Sequence, residues 1–390
     1  MENKENNKIK QTIAQVFDEI AAGLTSGSFG KRVRVGLTMA GSEHGEGEML
    51  RGAELAQAAD SSIEVVVIGE KAETTLTLIE ANDAKAGHEN MDSMLLSGEL
   101  DAAVTMHYNF PIGVSTVGRV ITPGLGRKMY VANTTGTSDT ERVSAMLKNT
   151  VSAIAVAKAC GNMEPAIGIL NIDGARQLER ALVKLGEKGY PVRFTSSARA
   201  DGGAVMRGND LLQGVPDIMV MDSLTGNVVM KVMSAYLTGG SYESLGDGYG
   251  PGVGEGYDRI INIISRASGA PVVAGSISFA GACARGQLLK KVSEEYTLAK
   301  KAGLDAILAG FTQAAEGAKA AVEEVKAPPE KIVTEEIPGI EILVLEDAVR
   351  VLWKESIYAA SGMGCTGPII LVAPEDHEKA LEILKKAEYL

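Results

Sequence analysis

Cysteine and aromatic residues are scarce in this sequence, and long apolar runs are missing. The three cysteines (Cys160, Cys283 and Cys365) are odd in number and far apart, which argues against both a disulfide framework and a zinc site. Aromatic residues make up 4% of the chain, so few rings are offered for stacking on nucleic-acid bases. No uncharged apolar run approaches the roughly 20 residues that a membrane-spanning helix needs. The cysteine usage therefore fits a reducing compartment, and no membrane span is expected.

The sequence also has no excess of positive charge. The formal net charge is −12 at pH 7, so the chain has no large basic field for a phosphate backbone. The N-terminal residues, MENKENN, are polar and lack the apolar core of a signal peptide. We therefore expect a cytoplasmic protein whose partners include neither nucleic acid nor a membrane.

Glycine, in contrast, is abundant, with 45 among 390 residues, where about 7% is typical. Short continuous apolar runs, which are typical of strands buried on both faces, occur at 33–38, 63–68, 102–105, 129–132, 166–171, 217–221, 271–274, 305–309, 340–345 and 368–372. Helical patterns lie between them, near 46–58, 140–159, 175–188, 225–238, 255–267, 285–302, 311–325, 346–359 and 375–387. This alternation predicts an α/β fold of stacked layers with a mostly parallel sheet.

Four segments are predicted. Residues 1–30 form an N-terminal amphipathic helix, with an apolar stripe at Ile9, Ile13, Val16, Phe17 and Ile20. Residues 31–160 form a first α/β lobe and 161–327 a second. Residues 328–390, which follow two prolines and carry Cys365, form a third unit or return to complete the first lobe, and the return is the preferred prediction. The N-terminal stripe packs on its own lobe or docks a partner subunit, and the sequence leaves both open.

Two loops between a predicted strand and a helix carry groups that suit an anion. One contains Asn133, Thr134 and Thr135, and the other contains Asp222, Ser223, Thr225, Gly226 and Asn227. In a parallel sheet, ligands bind outside the carboxyl ends of strands, where helix N-termini offer N–H groups. Both loops are candidate phosphate or carboxylate sites. The alternative is ordinary helix capping, for which the same residue types are preferred.

The thiol at Cys365 is the candidate nucleophile. It lies among glycines, in SGMGCTGP, where other groups can approach closely, whereas Cys160 and Cys283 sit among small or apolar residues that favour packing. His107 and His44 each follow a predicted strand and are candidate bases or structural histidines. His88 and His377, at polar helix starts, are expected to be solvated.

A loop with glycine at every second position runs from Gly246 to Gly256. It lacks the strand–loop–helix context and the acidic ribose ligand of a dinucleotide-binding loop. It is predicted to be either a mobile lid over a cleft or a plain flexible loop.

Two blocks carry a family resemblance: GILNI at 168–172 and PDIMVMDSLTGNVVMK at 216–231. Both blocks resemble the matching blocks of the phosphate acyltransferases of phospholipid synthesis, which make acyl phosphates from acyl thioesters. Similarity of this kind covers about residues 33–310. Those enzymes have Gly-Phe in place of Ser223-Leu224 and a glycine–asparagine loop in place of His107-Tyr108-Asn109. Nearly the whole chain, including the Cys365 segment, resembles the component C alpha subunits of glycine/sarcosine/betaine reductases.

The resemblance implies a two-lobed three-layer α/β/α fold like that of isopropylmalate dehydrogenase and phosphotransacetylase. It implies that Cys365 carries an acetyl group derived from carboxymethyl-selenoprotein A, and that phosphate releases it as acetyl phosphate. Implied partners are a component C beta subunit, selenoprotein A and phosphate, around a homodimer core. No metal or cofactor is expected, with inorganic phosphate as co-substrate. A stand-alone phosphate acyltransferase that uses acyl carriers, and a non-catalytic subunit that binds a partner, remain the alternatives.

Overall fold

The structure is a computed structural model that describes residues 16–17, 20–21, 23–24, 32–198, 202–316, 325–338, 340, 345–364, 367–387 and 389–390. Of the predicted helix 1–30, the described residues are helical. Val16, Phe17 and Ile20 are 47%, 67% and 42% exposed, while Ile9 and Ile13 lie outside the described residues. The exposed fractions of Val16, Phe17 and Ile20 do not fit packing of these three side chains on a lobe.

Runs of aliphatic residues form the strands, because burial on both faces favours β-branched side chains. The strands are β1 (Val33–Thr38), β2 (Ile63–Gly69), β3 (Thr77–Glu80), β4 (Ala102–Thr105), β5 (Val114–Ile121), β6 (Lys128–Thr137), β7 (Ala166–Leu170), β8 (Arg193–Phe194), β9 (Val205–Met206), β10 (Ile218–Val220), β11 (Gly250–Val253), β12 (Ile261–Ile263), β13 (Glu335–Pro338), β14 (Ala359–Gly364) and β15 (Gly367–Val372).

Helices cover both faces of the large sheet, and the hydrophobic core lies between them and the strands. The helices are α1 (Glu46–Ala59), α2 (Ala84–Ser97), α3 (Arg142–Ala159), α4 (Ala175–Glu187), α5 (Gly208–Gln213), α6 (Ser223–Ala235), α7 (Ala270–Arg285), α8 (Leu288–Lys301), α9 (Leu304–Glu316), α10 (Leu345–Lys354) and α11 (His377–Lys386). The predicted α/β fold with a large, mostly parallel sheet is confirmed.

The large sheet consists of two parallel blocks joined by antiparallel strands. Its order is β3-β2-β1-β4-β12-β11-β5-β6-β10-β7-β8, and β9 also pairs with β7. The first lobe contains the parallel strands from β3 to β12, and the second contains those from β6 to β8. Between them, β11 and β5 pair antiparallel with each other and with their outer neighbours.

The chain crosses between the lobes more often than the predicted boundaries allow. After β10 and α6 in the second lobe, β12 pairs parallel with β4 of the first, and α7 packs on α1 and β1. The predicted second lobe, 161–327, is therefore divided, because the glycines around β11 let the chain return through the middle of the sheet.

The C-terminal residues form a unit with its own core. Strands β13, β15 and β14 make a separate antiparallel sheet, and α10 and α11 cover it with Leu345, Leu352 and Leu384 buried. The unit meets the first lobe at residues 107–110. There the Asn109 amide donates to Glu336 at 2.7 Å, and Phe110 forms a β-bridge with Met363.

Three of the predicted elements differ in type. The runs 271–274 and 305–309 lie inside helices α7 and α9 instead of strands, since a short buried apolar run does not distinguish the two. Pro271 fits the first turn of α7, where a missing N–H costs nothing. The predicted helix 255–267 instead contains strand β12. Of the predicted strand 340–345, residues 341–344 lie outside the described residues.

Within the described part of the chain, no single helix is long and apolar enough to span a membrane. Only α7 and α8 taken together reach that length and composition, and they are bent by 62°.

Gly286, at the end of α7, tests how closely the lobes pack. A Cβ there would overlap the carbonyl oxygen of Ala159 at the end of α3, so Gly286→Ala should lower the stability by about 1–3 kcal/mol. Gly310→Ala is the matched control, since Gly310 lies within α9 with open space around it and should gain about 0.5–1 kcal/mol. Urea unfolding followed by circular dichroism compares them, and equal midpoints for Gly286→Ala and the wild type would contradict the contact.

Candidate active site

A cavity of about 340 Å³ lies where strands of both lobes end. Several of its lining residues carry polar or charged groups: Glu43 after β1, His107 and Tyr108 after β4, Ser265 and Arg266 after β12, Thr135 in β6, and Asn227 and Lys231 on α6. The volume suits a small ligand. Both lobes therefore contribute to one site.

Four segments that follow predicted strands converge on this cavity. Segments 41–47, 107–113, 133–139 and 222–227 each supply a lining residue, namely Glu43, His107, Thr135 and Asn227. Two of them are not loops as predicted, since 133–137 extend strand β6 and 223–227 begin helix α6. The structure thus brings together four segments that are distant in the sequence.

The glycine-rich loop 246–256 differs from both of its predicted forms. Residues 246–254 are buried and include β11 in the middle of the large sheet. Gly250 has φ +84°, and a Cβ on it would overlap the carbonyl oxygen of Val117. The glycines therefore serve close strand packing, and the loop is neither a lid nor freely flexible.

Residues 133–135 divide between the core and the cavity. The Thr134 hydroxyl is buried, donates to the carbonyl of Tyr249 at 2.7 Å and lies 2.6 Å from the Thr116 hydroxyl. The Asn133 amide is also buried and donates to the carbonyl of Gly136 at 3.0 Å. Only Thr135 lines the cavity.

Residues 222–227 mainly cap and seat α6. Asp222 accepts hydrogen bonds from the Thr225 backbone N–H at 3.0 Å and from its hydroxyl at 2.9 Å, and pairs with Arg142 at 2.9 Å. Burial acts to raise the pKa of Asp222, but these donors outweigh it and lower the pKa. A Cβ on Gly226 would overlap the carbonyl oxygen of Asn133, so glycine permits the contact between α6 and β6.

Asn227 is the residue of this loop that lines the cavity. Its amide donates to the carbonyl of Thr134 at 3.1 Å, which leaves a second N–H on the same nitrogen. Ser223 begins α6 and is not among the lining residues. Of the residues predicted in the two loops, Thr135 and Asn227 reach the cavity, and the capping alternative describes Asp222 and Thr225.

His107 is held in its neutral form. Burial lowers the pKa of His107, and the nearby charges of His88 and Arg266 lower it further, against the opposing effect of Glu336. The Nε2 atom of His107 lies 4.0 Å from a Glu336 carboxylate oxygen. A neutral imidazole at pH 7 is able to accept a proton.

His88 lies behind His107, with ring centroids 6.3 Å apart. It is half-buried instead of solvated as predicted, and its Nε2 is 3.0 Å from the Thr105 hydroxyl. Burial lowers its pKa as well. His44 lies outside the cavity lining, and its Nε2 is 3.3 Å from the carbonyl oxygen of Ala267.

Two cations in the cavity were not predicted from the sequence. Arg266 is exposed, and its guanidinium has no hydrogen bond or ion pair among the described residues. Lys231 donates to Ser265 at 2.7 Å and to the buried Glu243 carboxylate at 3.1 Å. Arg266 could have been predicted from its position directly after a short apolar run. The run was instead assigned to the predicted helix 255–267, so Arg266 was not recognised as following a strand. In the described ranges, no three His, Cys, Asp or Glu side chains group as a metal site requires.

Cys365 and Thr366 lie outside the described residues. The residues before them, Met363 and Gly364, line the cavity, and Gly364 pairs with Gly367 at the end of the β14–β15 hairpin. The predicted nucleophile is therefore bonded directly to a residue of the cavity wall.

The fold is that of an acyltransferase-like α/β protein. A sequence model of the family described as "Fatty acid synthesis protein" matches residues 33–371. Over 379 residues the chain is 52% identical to "Glycine/sarcosine/betaine reductase complex component C subunit alpha" of Peptoclostridium acidaminophilum, covering 97% of this chain and 98% of that protein. The chain belongs to the family of these component C alpha subunits, and the resemblance inferred from the sequence is confirmed.

The link between His107 and Glu336 can be tested by titration. Because the Glu336 carboxylate raises the pKa of His107, Glu336→Gln should lower that pKa further, measured by NMR of the imidazole. Glu335→Gln, the neighbouring change on β13, is the control and should leave the titration unchanged. An equal shift in both variants would assign the effect to general surface charge instead.

Proposed function

We propose that this chain forms acetyl phosphate by phosphorolysis of an acetyl thioester on Cys365. The observation that carries the proposal is the cavity itself, where His107 and Arg266 meet Gly364, the residue bonded to Cys365. A nucleophile-bearing segment, a neutral imidazole and a guanidinium that is unpaired within the described ranges are the groups that this acyl transfer needs.

The phosphate dianion binds at Arg266, with Lys231 and Asn227 beside it. A guanidinium without a protein partner can bind two phosphate oxygens at once. The carboxylate of Glu243 offsets the charge of Lys231, so Arg266 supplies most of the attraction. The free N–H of the Asn227 amide is available to the oxyanion of the tetrahedral intermediate.

In the chemical step, a phosphate oxygen attacks the thioester carbonyl carbon, and the carbon–sulfur bond then breaks. Acetyl phosphate leaves, and the electron pair of the broken bond remains on the Cys365 sulfur. The proton that phosphate loses passes to His107, which returns it to the thiolate. The reaction is thereby balanced with no external oxidant or reductant.

The relative that is 52% identical is named as a subunit of a reductase complex, which supports the corresponding partners here. We propose that a beta subunit of component C joins this chain, that two copies form a homodimer core, and that selenoprotein A delivers the carboxymethyl group from which the acetyl thioester derives. The proposed setting is the cytoplasm, and phosphate is the co-substrate without a resident cofactor or metal.

Exposure to acetyl phosphate should acetylate Cys365. Intact mass spectrometry should show one acetyl group on the wild type and none on Cys365→Ser, because a serine hydroxyl ionises far less readily than a thiol. Arsenate should hydrolyse acetyl phosphate through the wild type but not through Cys365→Ser. An acetyl group that persists in Cys365→Ser would exclude this nucleophile, and an unreactive wild type would favour the non-catalytic alternative.

Arg266→Gln should raise the half-saturating phosphate concentration about tenfold, the lower range for a hydrogen bond to a charged group, because Arg266 is exposed. Arsenate takes the place of phosphate in the arsenolysis reaction. The half-saturating arsenate concentration, obtained from initial rates, therefore reports on the same site and should rise by the same factor. Arg176→Gln is the matched control, since Arg176 is 68% exposed and pairs with Glu179 on α4 away from the cavity. Equal half-saturating concentrations in the two variants would remove Arg266 from the anion site.

A further inference from the structure

Two thiols outside the cavity lie against each other. Cys160 ends α3 and Cys283 lies in the last turn of α7, and their sulfur atoms are 3.9 Å apart although 123 residues separate them. The backbones of the two helix ends are in close contact at Gly286 and Ala159. The contact is possible because Gly286 has no Cβ, which would overlap the carbonyl oxygen of Ala159. Cys283 is buried and Cys160 is partly exposed.

A buried cation faces this pair. The Arg119 guanidinium lies 4.1 Å from the ring centre of Phe279 and donates to the Asp247 carboxylate. Lys128 also pairs with Asp247, at 3.5 Å. Burial acts to lower the pKa of Arg119, but Asp247 outweighs it and raises the pKa, so the guanidinium stays charged.

The two sulfurs are chemically unequal. A hydrogen bond from the Cys283 thiol, helped by the Arg119 charge and the Tyr130 hydroxyl, lowers the pKa of Cys160 to about 7 despite burial and the opposing charge of Asp247. Burial and the neighbouring Cys160 raise the pKa of Cys283. Cys160 is thus the more nucleophilic thiol and the one that solvent reaches, and Cys283 remains protonated beside it.

We propose that Cys160 and Cys283 are a dithiol site that low-molecular-weight disulfides oxidise reversibly to an intramolecular disulfide. The Cys160 thiolate attacks one sulfur of the small disulfide, forming a mixed disulfide and releasing one small thiolate. Cys283 then loses its proton and attacks the Cys160 sulfur, releasing the second small thiol. The protein loses two electrons and two protons, and the small disulfide gains them.

The bond would connect the lobes. Helix α3 packs on β6 and β10 of the second lobe, and α7 packs on β1 and β4 of the first. Helix α7 also begins just after Ser265 and Arg266 in the cavity wall. A cross-link between residues so distant in the sequence restricts the unfolded chain, so the oxidised form should melt at a higher temperature.

The test uses the full chain carrying Cys365→Ser, which leaves Cys160 and Cys283 as its cysteines. Oxidised glutathione at neutral pH should remove two hydrogens from the intact mass, and peptide mapping should find Cys160 joined to Cys283. Dithiothreitol should restore the mass, and Tm should be higher before this reduction than after it.

Further variants on this background separate the two roles. Adding Cys283→Ala should stop the reaction at one glutathione on Cys160, and adding Cys160→Ala should prevent it. The folded Cys365→Ser protein decides the proposal by itself: no loss of two hydrogens, or a glutathione adduct that never resolves, overturns it. These measurements do not involve acetyl transfer, so their outcome is independent of whether the proposed function is correct.

Discussion

The close contact of β11 with β5 is the constraint on which the two-lobed structure depends. These strands join two parallel blocks by antiparallel pairing, and the backbone of Gly250 lies where any side chain would overlap Val117. Its φ of +84° is also a conformation that other residues rarely adopt. Glycine is thus required where the chain passes from one lobe to the other, and this passage places β12, with Ser265 and Arg266 after it, beside β4.

The sequence predicts what depends on local pattern. Continuous aliphatic runs identify most parallel strands, and the rule that ligands bind at strand ends identifies loops that meet at the cavity. Prediction from the sequence fails where a contact between distant residues determines the secondary structure. The apolar run 271–274 becomes a helix in α7, and the loop around Gly250 becomes a central strand. Arg266 was missed for the same reason. It follows β12, and β12 is defined by its pairing with β4, which the sequence pattern does not show.

The position of the C-terminal unit depends more on apolar contact than on charge. The contact between His107 and Glu336 is partly exposed and 4.0 Å long. Even between two charged groups such an exposed contact contributes at most about 1 kcal/mol, and the His107 ring is neutral. Phe110 is 3% exposed, bridges to Met363 and packs on the rings of Tyr108 and Tyr257. Burying such a ring contributes about 1.5–3 kcal/mol. The segment before Cys365 is therefore held at the cavity by this packing together with the hydrogen bond from Asn109 to Glu336.

The acidic net charge of the chain does not conflict with the proposed anion site, because the two act over different distances. Exposed charges separated by more than about 8 Å are largely screened at physiological ionic strength, so the net charge of −12 acts weakly at the cavity. Arg266 acts at contact distance, and its own charge is not offset by an ion pair in the described part of the chain. Lys231, in contrast, is paired with Glu243. The proposed preference of the cavity for an anion therefore depends on the Arg266 guanidinium and on the neutral donors around it.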